Sequence, residues 1–373
     1  MAKVKQSLHA RTAERRRGLV RLARKHKVQA MLVTRVEDVG YLSGFTGHDS
    51  WLLVGEEWSA ILITDGRYDE QARLECPGLE VFVRPAGLAA AVKECLKGRG
   101  VRRLGVQKGN VTVGLHGALG QTLGTAKVRA SDDLVDQLRV IKDKQEVRAI
   151  ERALRVAEQA FMELTGGGAK ALIGRTERQI AAELEYRMRM LGADKPSFES
   201  IIAAGPNGSK PHYRPRDRVV RKGEAVLIDW GAMVDGYCSD LTRVVFTGTI
   251  PPKIAELYEI VLRAQQAGIA ALSVGAACKK VDAAARQVVE DGGYGKQFVH
   301  GLGHGLGRQV HEAPSLARTS DTRLRCGMVV TVEPGIYLPG VGGVRIEDDV
   351  LVARQGPRRL SRLSRDLQAM VLR

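Results

Sequence analysis

The chain has 373 residues, 44% apolar, 27% charged and 5% aromatic, a globular composition whose length suggests two domains at roughly 150 residues each. Its 42 glycines follow no Gly-X-Y period, which excludes collagen and points instead to tight turns. The 58 Lys and Arg exceed the 42 Asp and Glu by 16, a surplus that allows nonspecific attraction to polyanions without saying anything about fold.

Ten of those cations lie in residues 1 to 27 against Glu14 alone. Within that stretch, 11 to 27 reads as an amphipathic surface helix with Leu19, Val20, Leu22 and Ala23 on one stripe. A buried strand over 29 to 34 follows, then the segment YLSGFTG from Tyr41 to Gly47. A strand SWLLV, an apolar run from Ser59 to Thr64 and a turn at Asp65-Gly66 come next. Helix is predicted over 67 to 75 and 86 to 97, and strand over 80 to 84 and 103 to 106. This alternation suggests an α/β unit ending near residue 135. A charged helix over 142 to 165, ended by Gly166-Gly167-Gly168, opens a second region. A helix over 176 to 191 follows, with Thr176 and Gln179 spaced as a capping box. Strands with glycine-rich turns then run to 247, helices occupy 253 to 292, and strands close the chain from 328 to about 353. Long strand runs interrupted by paired helices indicate α+β.

Five cysteines, at 76, 95, 238, 278 and 326, include no C-x-x-C pair, so neither a disulfide framework nor a thiolate zinc site is expected. The apolar runs fall short of the ~18 residues of a membrane span, and the basic N-terminus has no apolar segment behind it. A cytoplasmic protein is expected, with no membrane partner.

Chemistry concentrates in four places. In AVLIDWGAMVDGYCSDLTRVVF two apolar runs flank Met233 to Gly236. If those four residues form the loop, Asp229 and Asp240 face each other across a hairpin, an arrangement that destabilises a sheet unless a cation lies between them. Either aspartate alone reads most simply as a solvated turn residue. Near the C-terminus, Glu333 ends one strand, and Arg345 and Glu347 share a face of the next by period-2 alternation. Between them lies His300-Gly-Leu-Gly-His304-Gly-Leu-Gly307, then His311-Glu312-Ala313-Pro314. Should the four acids converge with His304, four negative charges would match two divalent cations. Two such ions about 3.5 to 4 Å apart can hold a bridging hydroxide for hydrolysis. Oxygen donors with one imidazole suit Mn, Co, Fe or Zn.

DWGAMVDGYCSDLTR, HGLGHGLGRQVHEAP, TVEPGIY and GGVRIEDDVLV, in this order, resemble the motifs of metallopeptidase family M24, the pita-bread peptidases, and within it the Xaa-Pro aminopeptidases and Xaa-Pro dipeptidases. YLSGFTG and ITDGRYDEQA are similar to that branch's creatinase-type N-terminal domain. The resemblance implies a smaller α/β creatinase-like domain over 1–135 and an α+β pita-bread catalytic domain over 136–373. It implies that Asp229, Asp240, His304, Glu333 and Glu347 hold two divalent metal ions, by expectation Mn. It further implies that Glu333 is the general base, that His212 and His311 stabilise the oxyanion, and that His300 and Arg345 bind substrate or orient a ligand. Trp230 stands where the family more often has Leu or Phe, and is expected to pack behind the site.

The implied activity is removal of the N-terminal residue from short peptides with proline second, by a homodimer. A dipeptidase acting on Xaa-Pro alone is the alternative. A pita-bread protein without catalysis, binding nucleic acid or protein through its positive surplus, is a third reading; all five ligand positions being filled disfavours it. The same intact set argues against creatine-type hydrolysis.

Overall fold

The computed structural model describes residues 2–56, 58, 60–132 and 134–373. The chain divides into two compact units, Met1–Arg139 and Val140–Arg373.

The first unit contains α1 (Ala2–Lys25), β1 (Ala30–Val33), α2 (Val36–Ser43), β2 (Trp51–Gly55), β3 (Ile61–Thr64), α3 (Asp69–Glu75), β4 (Glu80–Val83), α4 (Leu88–Leu96), β5 (Arg103–Gln107), α5 (Val113–Leu123), β6 (Lys127–Ser131) and α6 (Leu134–Arg139). Six strands form one sheet in the order β4-β3-β2-β1-β5-β6, antiparallel at its β1-β2-β3 centre and parallel at both flanks. Period-2 alternation divides its apolar side chains between two faces. Met31, Val33, Leu52 and Leu62 pack with Leu19 and Ala23 of α1 on one side. Leu32, Leu53, Ile61 and Leu104 pack with Val92 of α4 and Leu119 of α5 on the other. Four elements, α2, α5, β6 and α6, go beyond the sequence prediction. The unit extends to Arg139 because that side chain, 3% exposed, pairs at 2.6 Å with the fully buried Asp38 of α2. A buried ion pair broken on one side is strongly destabilising, so α6 is held to this unit.

The second unit contains α7 (Lys144–Thr165), α8 (Glu177–Met190), β7 (Lys195–Pro196), β8 (Ile201–Ala204), β9 (Ala225–Trp230), β10 (Ala232–Val234), β11 (Tyr237–Cys238), β12 (Leu241–Phe246), α9 (Pro252–Ala271), α10 (Cys278–Asp291), β13 (Gly303–Gly305), β14 (Glu312–Leu316), β15 (Val329–Val332), β16 (Gly335–Leu338), β17 (Gly342–Arg345), β18 (Asp348–Ala353) and β19 (Gly356–Arg359). Capping boxes at Asp143/Glu146 and Thr176/Gln179 start α7 and α8, each satisfying orphan N–H groups of the first turn. Strands β12-β9-β8 form one sheet and β14-β13-β15-β18-β19 another, while β11-β10-β7 and β16-β17 form smaller ones. One continuous apolar core joins these sheets to the helices. Trp230 is fully buried in it, stacked 4.6 Å from Phe161, and its indole N–H donates to the Ala157 carbonyl at 2.9 Å.

The β9 to β12 hairpin corrects the expected register. Its loop is the two-residue Asp235-Gly236, both at positive φ (53° and 70°), with Val234 paired to Tyr237. These signs at both central positions are those of a type I′ turn, whose twist matches that of the flanking strands. Asp229 therefore faces Thr242, not Asp240. Asp240 lies in the break between β11 and β12.

All five cysteines are free, and only Cys326 is exposed. Burial pushes the thiols of Cys76 and Cys95 up to about 11 and that of Cys238 up to about 12, and also raises Cys278. No helix among the described residues is long and apolar enough to cross a membrane.

Candidate metal centre

Four strands and the breaks between them deliver the acids to one cavity of about 560 Å³ in the second unit. Asp229 comes from β9, Asp240 from the β11/β12 break, Glu333 from just beyond β15, and Glu347 from the break between β17 and β18. Although Asp229 and Asp240 are not direct partners, the kink between β11 and β12 brings Asp240 to the same cavity. An isolated bridge between Thr242 and Glu347 ties the two sheets at this point, and the Thr242 hydroxyl donates to Glu347 Oε2 at 2.6 Å.

His304 occupies β13, whose flanking glycines have no room for a side chain. A Cβ on Gly303 would meet the Thr331 carbonyl oxygen at 2.1 Å, and one on Gly305 the Ala313 carbonyl oxygen at the same distance. Glycine there lets β13 fit between β14 and β15. His304 Nδ1 lies 3.1 Å from the Gly305 carbonyl, which fixes the proton on Nδ1 and turns the Nε2 lone pair inward. Nε2 lies 3.4 Å from Glu333 Oε1 and 3.6 Å from Asp240 Oδ2. One donor atom each from Asp240, His304 and Glu347 all lie within 4.8 Å of one another.

The electrostatics of this arrangement are unfavourable without cations. Burial first, and then the neighbouring acids, raise Asp240 and Glu347 well above the usual carboxylate range. Burial raises Asp229, with Arg345 opposing, and pushes Glu333 up to about 8 against the same Arg345. Burial, with His311 beside it, lowers His304 to about 4, so its imidazole is neutral and able to ligate. The Oδ1 atom of Asp229 is buried without a hydrogen-bond partner. A buried anionic oxygen left unpaired is costly, and a cation is the partner that removes the cost. This orphaned oxygen, the hard oxygen donors and the one inward imidazole fit divalent metal ions.

Arg345 holds the other oxygen of Asp229. Its Nη2 donates to Asp229 Oδ2 at 2.5 Å, Nε to the Thr242 hydroxyl at 3.0 Å, and Nη1 to the Tyr337 hydroxyl at 2.8 Å. It is 3% exposed and lies in the wall of the cavity. His300 is similarly committed. Its Nδ1 lies 2.8 Å from the Gly301 carbonyl and its Nε2 2.9 Å from the Tyr337 hydroxyl. Both residues, expected to bind substrate or orient a ligand, line the cavity while holding protein partners, an arrangement that suits them to orienting Asp229 and the cavity wall. Burial, reinforced by Arg345, lowers His300 to about 4.

His212 and His311 reach the cavity with exposed side chains, and the His311 ring lies 4.2 Å from that of His304. Burial and the nearby His212 lower His311. The loop carrying His311 is fixed by Glu312, which accepts from the Gln309 amide at 3.0 Å and from the buried Lys142 ammonium at 3.2 Å. Sequence reasoning missed Tyr337, Thr242, Thr331 and Lys142. A tyrosine in GIY, four residues after Glu333, was the one available signal, since a buried tyrosine hydroxyl needs a partner.

The chain matches metallopeptidase family M24 over residues 148–354 and the creatinase/prolidase N-terminal domain over residues 15–141. It is 33% identical to an Xaa-Pro dipeptidase of Pyrococcus horikoshii, across 95% of this chain and 98% of that protein. The structure is similar to that of an Xaa-Pro dipeptidase from Bacillus anthracis, with TM-score 0.91, 35% identity, and coverage of 95% and 99%. It is also similar to an X-Pro aminopeptidase from Thermotoga maritima, with TM-score 0.84, 36% identity, and coverage of 91% and 97%.

Proposed function

The chain belongs to metallopeptidase family M24, with a creatinase-type domain before a pita-bread catalytic domain, and from that premise we propose that it removes the N-terminal residue of short peptides whose second residue is proline. The observation that carries this reading is the set of four carboxylates lining one cavity with the inward His304 Nε2, Asp229, Asp240 and Glu347 buried and Glu333 half-buried, with Asp229 Oδ1 unpaired. Asp229, Asp240, His304, Glu333 and Glu347 would hold two divalent ions, Mn by the family resemblance, the donor set suiting Co, Zn or Fe equally. Once bound, such ions would supply Lewis acidity at the scissile carbonyl and a nucleophile at neutral pH. The four carboxylates and Arg345, with two divalent ions, leave one net positive charge, which favours an oxyanion.

The remaining steps belong to the chain's own groups. Glu333 Oε accepts a proton from the attacking water as its oxygen bonds to the carbonyl carbon. It returns that proton to the proline nitrogen as the C–N bond breaks. His311 and His212, both at the cavity and without a hydrogen bond among the described residues, donate to the developing oxyanion. Arg345 and Tyr337 keep Asp229 and His300 in place throughout.

The dipeptidase alternative is supported by two of the three relatives named above. Digestion of a dipeptide, a tripeptide and a longer Xaa-Pro peptide, followed by mass spectrometry, separates the two readings: cleavage of the dipeptide alone selects the dipeptidase. Chelation and Asp240→Asn are each expected to lower turnover at least a hundredfold, with metal restoring only the chelated wild type. Full turnover after verified metal removal would refute the assignment. A cytoplasmic homodimer is proposed from the family resemblance, and light scattering giving a mass near 40.6 kDa would count against it.

A further inference from the structure

A second cavity, of about 820 Å³, lies wholly within the first unit, where the C-terminal ends of α4 and α5 meet the starts of β5 and β6. Lys93, Lys97, Arg102, Arg103, Lys127 and Arg129 line it, and Glu94 is the one acid among its lining residues. All six cationic residues are exposed. Glu94 pairs weakly with Lys97 at 3.6 Å, and the other five cations make no ion pair among the described residues.

The placement of these cations works against the fold. Arg103 and Lys127 are register partners on adjacent parallel strands, and like charges directly opposite destabilise a sheet. Lys93 lies in the last turn of α4 and Lys97 is the residue that caps it, so two cations sit at one helix end. This like-charge strand pair and four further cations converge on one concavity, and rule-breaking of this kind collects where a ligand compensates it. Both helices also end here, and cations at a helix C-terminus are tolerated by the dipole, so the fold has kept the cluster without neutralising it.

We propose that this cavity binds a chain of linked phosphates, either inorganic or as the tail of a nucleotide. Lysine and arginine are the donors suited to phosphate oxygens. No aromatic side chain lines the cavity, so nothing in it stacks on a base. Recognition rests on the phosphates, and tripolyphosphate and a nucleoside triphosphate bind with similar affinity. The site is independent of the peptidase reading and uses none of its residues.

Isothermal titration of the full chain with tripolyphosphate, a nucleoside triphosphate and a 20-base-pair DNA duplex tests the proposal. The expected result is saturable binding of one tripolyphosphate per chain, the nucleoside triphosphate agreeing within about threefold. Binding should weaken at least tenfold in Lys97→Glu/Arg103→Glu. It should persist within about twofold in the charge-matched control Arg21→Glu/Lys25→Glu, whose positions are exposed on α1. Equal weakening in both double variants would show a general attraction to the net positive chain and overturn the site. So would binding of the duplex alone, or no saturation at millimolar tripolyphosphate. Arg103→Thr supplies a second reading: in ligand-free protein at low salt its Tm should rise as the strand conflict is relieved, while the tripolyphosphate-induced shift disappears. A Tm shift by tripolyphosphate equal to that of the wild type would also sink the proposal.

Discussion

At the scale of single residues, the centre depends on groups that never reach a metal or a peptide. Tyr337 receives Arg345 Nη1 and, with the His300 proton fixed on Nδ1, donates to His300 Nε2. Tyr337→Phe removes both contacts, leaving Arg345 Nη1 with only the Pro211 carbonyl at 3.4 Å. We expect a stability loss of about 1–3 kcal/mol, from stranding buried polar atoms. A fall of roughly tenfold or more in kcat/KM should accompany it as Asp229 loses its orientation. Thermal unfolding and steady-state kinetics check this; a variant with wild-type Tm and kinetics would show that the chain of contacts is incidental. These roles were illegible in the sequence because they depend on which nitrogen faces which oxygen. Asp229, Asp240, Glu333 and Glu347 stand out as candidates in the sequence because acids gathered in β-branched or glycine-rich strands repel one another unless a cation lies among them, and His304 joins them through the family resemblance.

Among the secondary-structure elements, β13 is held on both sides by its neighbours. Its two glycines lie against neighbouring carbonyl oxygens, so Gly305→Ala must displace β13 from β14. A cost of roughly 1–3 kcal/mol is expected, with His304 displaced and metal affinity reduced. Calorimetric metal titration alongside thermal unfolding tests this, and unaltered metal affinity would refute the steric argument. The sequence shows glycines on both sides of His304 but not that they lie against carbonyl oxygens of β14 and β15. Reading Met233 to Gly236 as a four-residue loop misplaces the register of the neighbouring hairpin by two residues. Asp235-Gly236 alone carries the type I′ signal, and moving the loop boundary shifts the facing pairs so that Thr242, not Asp240, opposes Asp229. The missed α5 and β6 have different causes. Helix α5 contains glycines at 114, 117 and 120, poor formers that tertiary packing of Leu119 and Leu123 overrides. The edge strand β6 alternates charges with small residues and lacks the apolar face on which strand prediction relies.

For the molecule as a whole, the carboxylates couple stability to pH and to metal. Glu333 is raised from 4.5 to about 8 in the fold, and Asp240 and Glu347 are raised in the same direction. The folded state thus holds protons that the unfolded chain has released, so stability present below the unfolded pKa is lost as pH rises through the folded one. His300 and His304, lowered from 6.5 to about 4, act oppositely, their stability being lost as pH falls below 6.5. Between about pH 6.5 and 8 only the carboxylate effect remains. Metal-free protein should therefore lose stability across that window, by roughly 1.4 kcal/mol per pH unit for a single group. Saturating metal should flatten the dependence. Calorimetric scans at several pH values, with and without Mn, measure it; a metal-free Tm that rises from pH 6.5 to 8 would contradict the buried charge set.

The distribution of thiols has a practical corollary. With Cys76, Cys95, Cys238 and Cys278 enclosed and Cys326 open to solvent, a maleimide offered to the native chain at neutral pH reacts at position 326 alone. The wild-type sequence thereby provides its own unique handle for a fluorophore or a solid support, with no engineering required.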